Sequence, residues 1–599
     1  MLVLLTVYFQ FFAPEPEPPT PQIDNAPSQV ETNNSTSSPA QDASLISNDS
    51  EDKAEIDSAK NALLVMKYGS FWSAAEGQKE VISIENEDLK VDFSTKGGII
   101  QRVELKNYKA YGGGPLVLIN NQHKFQFHVD HQGKRIDISD LFFRPSIAKE
   151  ADTTVVKFVL ANNTSNLSFS YRLAPAGFNL DYQIDANGFE KQIDAKNPTI
   201  FWGASLAKLE RELEDTRRRT SVVYYLQNGE GDNLSKTATG HEEETLNEPI
   251  KWVSFNQKFF TSAIIAEGTF NSAFITQDIP MDTAVVKNVS ASLEIPYTDL
   301  ANKTVGFTYF FGPNDYHVLN EVTEGFSNNL ELGWFFLPWI NKYLIIPIFD
   351  FLELFIPNYG LIIIVMVLII RLILSPLTYK SHISMAKMRV LKPELDAIKE
   401  RVDDDMQKVQ TEQMDLYRKA GINPLSGCIP VLLQFPILVS LFYFIPNAIE
   451  LRLVPFLWAE DLSSYDSILS LPFNIPFYGS HVSLFTLLMA ASTVLTTMVN
   501  AQTTSVTGPM KTLQYVMPVM LLFFFNSYPS GLSYYYFVSN VVSFGQIALF
   551  RRFVDEDKIH RIMEENKKKN ANKKKSKFQA RLEEAMKASQ EAQKKNKKK

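Results

Sequence analysis

From residue 359 to residue 379 the chain reads YGLIIIVMVLIIRLILSPLTY, an apolar run whose single charge is Arg371. A helix needs ~20 apolar residues to cross the hydrocarbon core of a bilayer, and a helix satisfies all of its own backbone N–H and C=O groups there. This run therefore commits the chain to a membrane. Four more apolar blocks of near-spanning length follow at 429–446, 483–500, 513–528 and 532–551. An earlier block, 332–356, is also aromatic and apolar, but it carries Pro338, Lys342, Pro347, Asp350 and Glu353. Charges are costly at membrane depth, and these are spaced to leave a polar edge, so that block is expected to lie as a helix on the membrane surface.

Charge sets the expected orientation. Between the first two spans stand Lys380, Lys387, Arg389, Lys392, Lys399, Arg401, Lys408, Arg418 and Lys419, whereas 447–482 holds Arg452 alone among basic residues. Basic loops stay in the cytoplasm. Counting onward, the loop at 503–511 and the lysine-rich tail are cytoplasmic too, and the domain at 79–315 falls outside. The formal net charge of -8 averages an acidic, proline-rich stretch near the start with that tail, so it says little about partners.

Residues 1–12 are apolar but too short to span, and are read as a signal anchor whose upstream part is missing. Residues 13–78 read as a flexible acidic tether. Over 79–315 the apolar residues alternate: Leu89, Val91, Phe93; Phe125, Phe127, Val129; Leu167, Phe169, Tyr171, Leu173; Leu180, Tyr182, Ile184. Period two means half-buried strands, and the expected fold is a large antiparallel β-sandwich whose longest helical stretch is 207–219. Cys428 is the only cysteine, so no intrachain disulfide helps to hold it. His123, His128 and His131 lack a completing carboxylate pair, and no metal is expected. An interfacial region at 316–357 leads into a helical membrane core at 358–552, with a cytoplasmic helical hairpin at 380–421 and a basic tail at 553–599.

Arg371 lies twelve residues into its span, ~18 Å along a helix and thus in the inner half of the bilayer. A guanidinium facing lipid is expensive, so it should meet water or a polar partner; the alternative is that its stem snorkels toward the interface near Lys380. Thr493, Thr496, Thr497 and Asn500 recur at helical spacing, as do Tyr536, Ser539, Asn540 and Ser543. Each set makes one polar stripe, which alone would mean ordinary hydrogen bonds between helices. Converging with Arg371, Ser375 and Gln434, the stripes would line a water-accessible groove open to the cytoplasm. The same stripes also suit a channel or transporter, and the β domain could itself be the main actor with the spans as its anchor. Met385, Met388, Met406 and Met414 on the hairpin are either gap-filling core or a surface for varied hydrophobic clients. The tail lysines form a solvated run that could also meet anionic lipid or ribosomal RNA. The chain lacks GxxxxGK[ST], HExxH and GxSxG, and its spans lack an Asp, Glu or His chain, which argues against an ATP-driven pump or an intramembrane protease.

Four blocks, NYGLIIIVMVLIIRLILSPLT, SMAKMRVLKPELDAIKER, NPLSGCIPVLLQFPI and YPSGLSYYYFVSN, stand in that order within 358–552 and resemble the YidC/Oxa/Alb insertases. The tether and outer β domain resemble the Gram-negative branch, whose periplasmic domain is a β-supersandwich. The resemblance implies a five-span insertase core with a hydrophilic groove, Arg371 as its positive residue for acidic client residues, Tyr535 and Tyr536 near the client's exit path, and a hairpin that receives clients. It further implies a multi-pass protein of the bacterial inner membrane that is not an enzyme, has no catalytic residue and needs no cofactor. Such a protein integrates and helps fold newly made inner-membrane proteins, alone or beside the Sec translocon. Its expected partners are nascent chains, that translocon, the ribosome and membrane lipids, with no DNA. The sequence departs from the family pattern at Val367, apolar where some relatives carry a hydroxyl, and in its short opening apolar stretch.

Overall fold

The structure, a computed structural model, describes residues 51–160, 166–301, 304–402, 406–422, 429–501 and 509–570. The expected anchor at 1–12 and the last lysine clusters lie outside them.

Alternation in the sequence becomes inward-facing strands. Leu89, Val91 and Phe93, Leu167 to Leu173 at every second position, and Leu180 and Ile184 are almost wholly removed from water. One sheet face alone cannot bury so many apolar and aromatic side chains, and the chain builds two facing sheets. One has nine strands, in the order Gly231–Asn233, Ser221–Leu226, Ile250–Asn256, Phe260–Phe270, Thr304–Pro313, Asn179–Asn187, Asn166–Leu173, Thr153–Leu160 and Phe143–Glu150. The other has six: Glu242–Leu246, Ser272–Asp278, Val285–Glu294, Thr199–Ala207, His123–His131 and Lys134–Asp137. Pairing is antiparallel throughout. Trp202 of the smaller sheet stacks on Phe125 at 5.6 Å and meets Phe255 of the larger at 4.0 Å, which places the sandwich core between them. A separate four-stranded sheet runs Val81–Glu85, Leu89–Ser94, Ile99–Lys109 and Pro115–Ile119.

Two expectations change here. The helical stretch foreseen at 207–219 is only Leu213–Arg219, because Ala207 closes a strand paired to Val285. The tether is not loose to residue 78: Glu51–Tyr68 is helical, a 3-10 turn follows at Gly69–Ala74, and Tyr68, Phe71 and Ala74 enter the sandwich core. The acidic, polar composition averaged over 13–78 hid that local apolar cluster.

Beyond the sandwich, residues 337–353 form one helical run with a π turn at Asn341–Ile345, just before Pro347, whose missing N–H interrupts the ladder. Asn341 anchors it by donating to the carbonyls of Leu332 and Ser440. Its outer side leaves Trp339, Tyr343 and Phe351 exposed. Five long helices follow: Tyr359–Val390, Ile429–Asn447, Leu484–Ala501, Pro509–Phe525 and Ser530–Phe553. Among the described residues the Tyr359 helix alone is long and apolar enough by itself to cross a membrane. Shorter apolar helices occupy Gln434–Asn447, Leu484–Val499 and Val516–Phe525, and the Ser530 helix is diluted by its serines, tyrosines, Asn540 and Gln546. The Tyr359 helix is apolar on both sides. Ile362, Ile363, Met366, Val367 and Ile370 are buried against its neighbours, while Leu361, Leu368, Leu372 and Ile373 face outward. Water would penalise such an outer face and lipid does not.

The hairpin also differs from the expected 380–421. Its first arm does not restart after the span, because the Tyr359 helix continues unbroken to Val390 through Pro376. Helices Lys392–Arg401 and Met406–Ala420 complete the hairpin. The tail's first part is not a bare charged run. Glu556–Asn570 is a helix whose Ile559 and Met563 share a small core with Met388, Leu391, Leu395, Tyr417 and Ala420.

Candidate functional site

Arg371 is brought against two other helices. Its Nη1 donates to Gln434 Oε1 at 3.2 Å, and its Nη2 donates to Ser539 Oγ at 2.7 Å and to the Ser539 carbonyl at 3.2 Å. Gln546 Nε2 donates to the Arg371 carbonyl at 3.2 Å, bracing the arginine's own helix from the Ser530 helix. All of the acceptors reached by the guanidinium are neutral. They take three hydrogen bonds from it without cancelling its charge, which a carboxylate would do.

The two hydroxyl stripes meet next to this cluster. Asn540 Nδ2 donates to Ser492 Oγ at 2.9 Å and to Thr493 Oγ1 at 3.0 Å, tying the Leu484 helix to the Ser530 helix. Thr493 and Thr496 also donate back to carbonyls in their own helix, those of Met489 and Ser492. Ser543 does the same to Ser539. Thr496 and Thr497 are half-buried, as is Ser375 one turn beyond Arg371. Tyr535 is buried beside the arginine's cluster, and Tyr536 is half-buried with its ring 5.4 Å from Phe525. Asn500 belongs to the Leu484 helix, but its side chain is outside the described residues. Val367, a turn before Arg371, is fully buried in the bundle. Sequence reading named neither Ser492 nor Gln546. Both lie on the same helical stripes, Ser492 four residues before Thr496 and Gln546 three after Ser543, so the spacing was there to extend.

On the hairpin, Met388 is buried in the small core, and Met385 and Met414 are half-buried against it. This is the gap-filling role of a flexible thioether. The side chain of Met406 is outside the described residues. Of the three histidines, His131 is buried with Nδ1 bonded to the Gln192 carbonyl, and burial pushes the His123 imidazole down to about 4. Among the described residues no cluster of His, Cys, Asp or Glu is arranged to hold a metal ion.

A second polar assembly joins the sandwich to the helices, and composition gave no hint of it. Arg452 Nε meets Glu210 Oε1 at 2.8 Å with both side chains buried. Burial lifts the Glu210 carboxyl above its ordinary range even with Arg452 beside it. Asp215 takes Lys258 at 2.7 Å and Arg219 at 3.0 Å. Burial alone would raise that carboxyl, and the two cations outweigh it and hold it well below the usual carboxylate range. Lys258 goes on to the Ser463 carbonyl and Arg219 to Asn447 Oδ1, so the network ends on the helical part.

The comparisons bear on both parts of the molecule. The sequence model described as the YidC periplasmic domain matches residues 81–347, and that of the 60Kd inner membrane protein family matches residues 351–558. A protein of Amoebophilus asiaticus named membrane protein insertase YidC is 44% identical over 539 residues, covering 88% of this chain and 90% of its own length. One of Cytophaga hutchinsonii with the same name is 40% identical over 562 residues, covering 90% of each. A crystal structure of an active YidC insertase with its first transmembrane domain resolved aligns with 83% of this chain and 99% of its own, at 18% identity and a TM-score of 0.33. At that score the alignment adds nothing to the sequence relationship, which is sufficient by itself: the chain belongs to the YidC family of membrane protein insertases.

Proposed function

We propose that this chain integrates newly made proteins into the bacterial inner membrane by lending a client's polar flank a partly hydrated, positively charged stopping place inside the bundle. The observation that carries this reading is the Arg371 cluster, a guanidinium inside an apolar helix, held by Gln434 and Ser539 with no carboxylate against it among the described residues. An acidic side chain in the exported flank of a client supplies the missing counter-charge, and pairing them lowers the cost of bringing either to that depth. Ser375, Thr493, Thr496, Tyr535, Tyr536 and Asn540 line the groove around it, and Asn500 is proposed as a further member by its place on the Leu484 helix. The client's apolar segment then moves sideways into lipid. No bond is made or broken, so binding and solvation do the work and neither catalytic residue nor cofactor is called for.

In this reading five helices span the membrane, the sandwich is periplasmic, the hairpin and the tail are cytoplasmic, and residues 337–353 lie at the outer interface. The nine basic residues between 380 and 419 support that orientation. Clients arrive at the hairpin as an element, and its partly buried methionines serve mainly to hold it together. The Sec translocon, the ribosome at the lysine-rich tail, and anionic lipid are proposed partners. Photo-crosslinking tests the groove. A photoreactive residue placed at Thr496 or Ser375 in the full chain should crosslink a stalled single-spanning client in native membranes, and labelling of lipid only, whatever the client length, would contradict the proposal.

A further inference from the structure

The loop between the Ile429 and Leu484 helices carries a β-hairpin, Leu469–Ile475 paired with Gly479–Val482. A small exposed hairpin normally shows charged or hydroxyl side chains to water. Here charges are missing, and large apolar side chains stand in the open beside Ser470, Asn474 and Ser480. From 467 to 482 there is no Asp, Glu, Lys or Arg, and Ile468, Leu469, Phe473 and Phe477 are exposed, the last at 95%. Phe477 also sits at φ 65°, a left-handed conformation that glycine or asparagine adopts at little cost and a bulky side chain does not. Two other exposed apolar residues share this habit, Leu457 at φ 55° and Phe335 at φ 58°. Strain that presents an aromatic ring to open space needs a compensating environment around the ring.

The hairpin's position narrows what that environment is. Asn526, just after the Pro509 helix, donates to the carbonyls of Tyr478 and His481 and accepts from Ser483 N–H, and His481 bonds back to the Asn526 carbonyl. The Tyr478 ring packs on Phe523 at 5.3 Å. The hairpin base is thus riveted to the end of a bundle helix, at the end where the Tyr359 helix also begins, Gly360 lying against Phe456. A rigid apolar projection at that level meets the boundary between lipid headgroups and acyl chains. Pro472 and Pro476 remove N–H donors from the hairpin, making its edge a poor template for another strand.

We propose that this hairpin is a lipid-immersed wedge, with Phe473 and Phe477 seated in the outer leaflet near its headgroup boundary, where aromatic side chains partition well. It rests on the membrane-embedded reading of the helices, and the controls separate the two. The test is Phe477→Cys, and in parallel Phe473→Cys, in the full chain carrying Cys428→Ser, labelled with an environment-sensitive fluorophore in phosphatidylethanolamine/phosphatidylglycerol vesicles. Leu372→Cys, outward-facing on the Tyr359 helix, and Met281→Cys, fully exposed on the sandwich, serve as controls. The expected result is blue-shifted emission from both hairpin positions, quenched by lipids with a shallow nitroxide and little affected by aqueous iodide. Iodide quenching at both hairpin positions equal to that at Met281, with Leu372 still quenched by deep nitroxide, would overturn the wedge alone. Loss of nitroxide quenching at Leu372 would instead overturn the embedding on which it rests. Shielding that appears only at high protein-to-lipid ratio, or only with a stalled client present, would assign the surface to a second copy or to the client and also refute the wedge.

Discussion

Among single residues Arg371 carries the proposed mechanism. Charge-assisted hydrogen bonds are worth about 1.5–3 kcal/mol, so losing the guanidinium should reduce insertion of clients with acidic exported segments roughly tenfold or more. Arg371→Ala is expected to show that loss and to spare clients with neutral segments, whereas Arg371→Lys should retain part of the activity by keeping the charge without the planar fork. Quantitative insertion assays on paired clients differing only in those acidic residues would check it. His123 offers a pH test of the sandwich. Its imidazole is held neutral by burial, with a pKa pushed down to about 4 from the ordinary 6.5. Above the unfolded value both states are neutral. As pH falls below it the unfolded chain takes up a proton that the folded one refuses, so stability is lost toward the folded value, by at most about 3 kcal/mol. Thermal melts between pH 7 and 4.5 should therefore drop less steeply in His123→Gln than in the parent; parallel curves would remove His123 from the explanation.

At the scale of elements, what was legible followed from period. Alternation at Leu167 to Leu173 exposed the strands, and i, i+3, i+4 recurrence at Tyr536, Ser539 and Asn540 exposed a stripe from which Ser539 and Asn540 hydrogen-bond to other helices. Features set by partners distant in sequence stayed hidden. Nothing near Arg452 announces Glu210, 242 residues away, yet the pair is buried between a loop of the helical part and the sandwich. Breaking a buried pair leaves a lone charge and typically costs ~3–5 kcal/mol, whereas replacing both partners with apolar residues of similar size can be neutral. Arg452→Ala should accordingly lower the melting temperature sharply, and the double change Arg452→Met with Glu210→Leu should restore most of it. The tail helix was missed because its lysines dominate the composition, although Ile559 and Met563 are one turn apart and face the same way. Ile559→Asp should release Glu556–Asn570 from the hairpin, seen as faster amide hydrogen exchange there with the sandwich unchanged.

For the molecule as a whole, a sandwich and a bundle are joined by a polar network and by one continuous apolar cluster that takes in Trp252, Phe310 and Phe326 as well as Ile362 and Tyr535. The sequence resemblance already pointed to the family and to Arg371. It could not say that the arginine's partners among the described residues would be neutral, the feature on which the proposed pairing with a client rests. The most direct measurement of the central claim is cell-free synthesis of a short single-spanning client with an acidic exported segment, into liposomes containing only this purified chain, scored by protease protection. Protection should stand well above empty liposomes with the parent chain and return toward the empty level with Arg371→Ala. Equal protection by the parent and the variant, or none above empty liposomes by a parent shown to be folded and embedded, would contradict the claim.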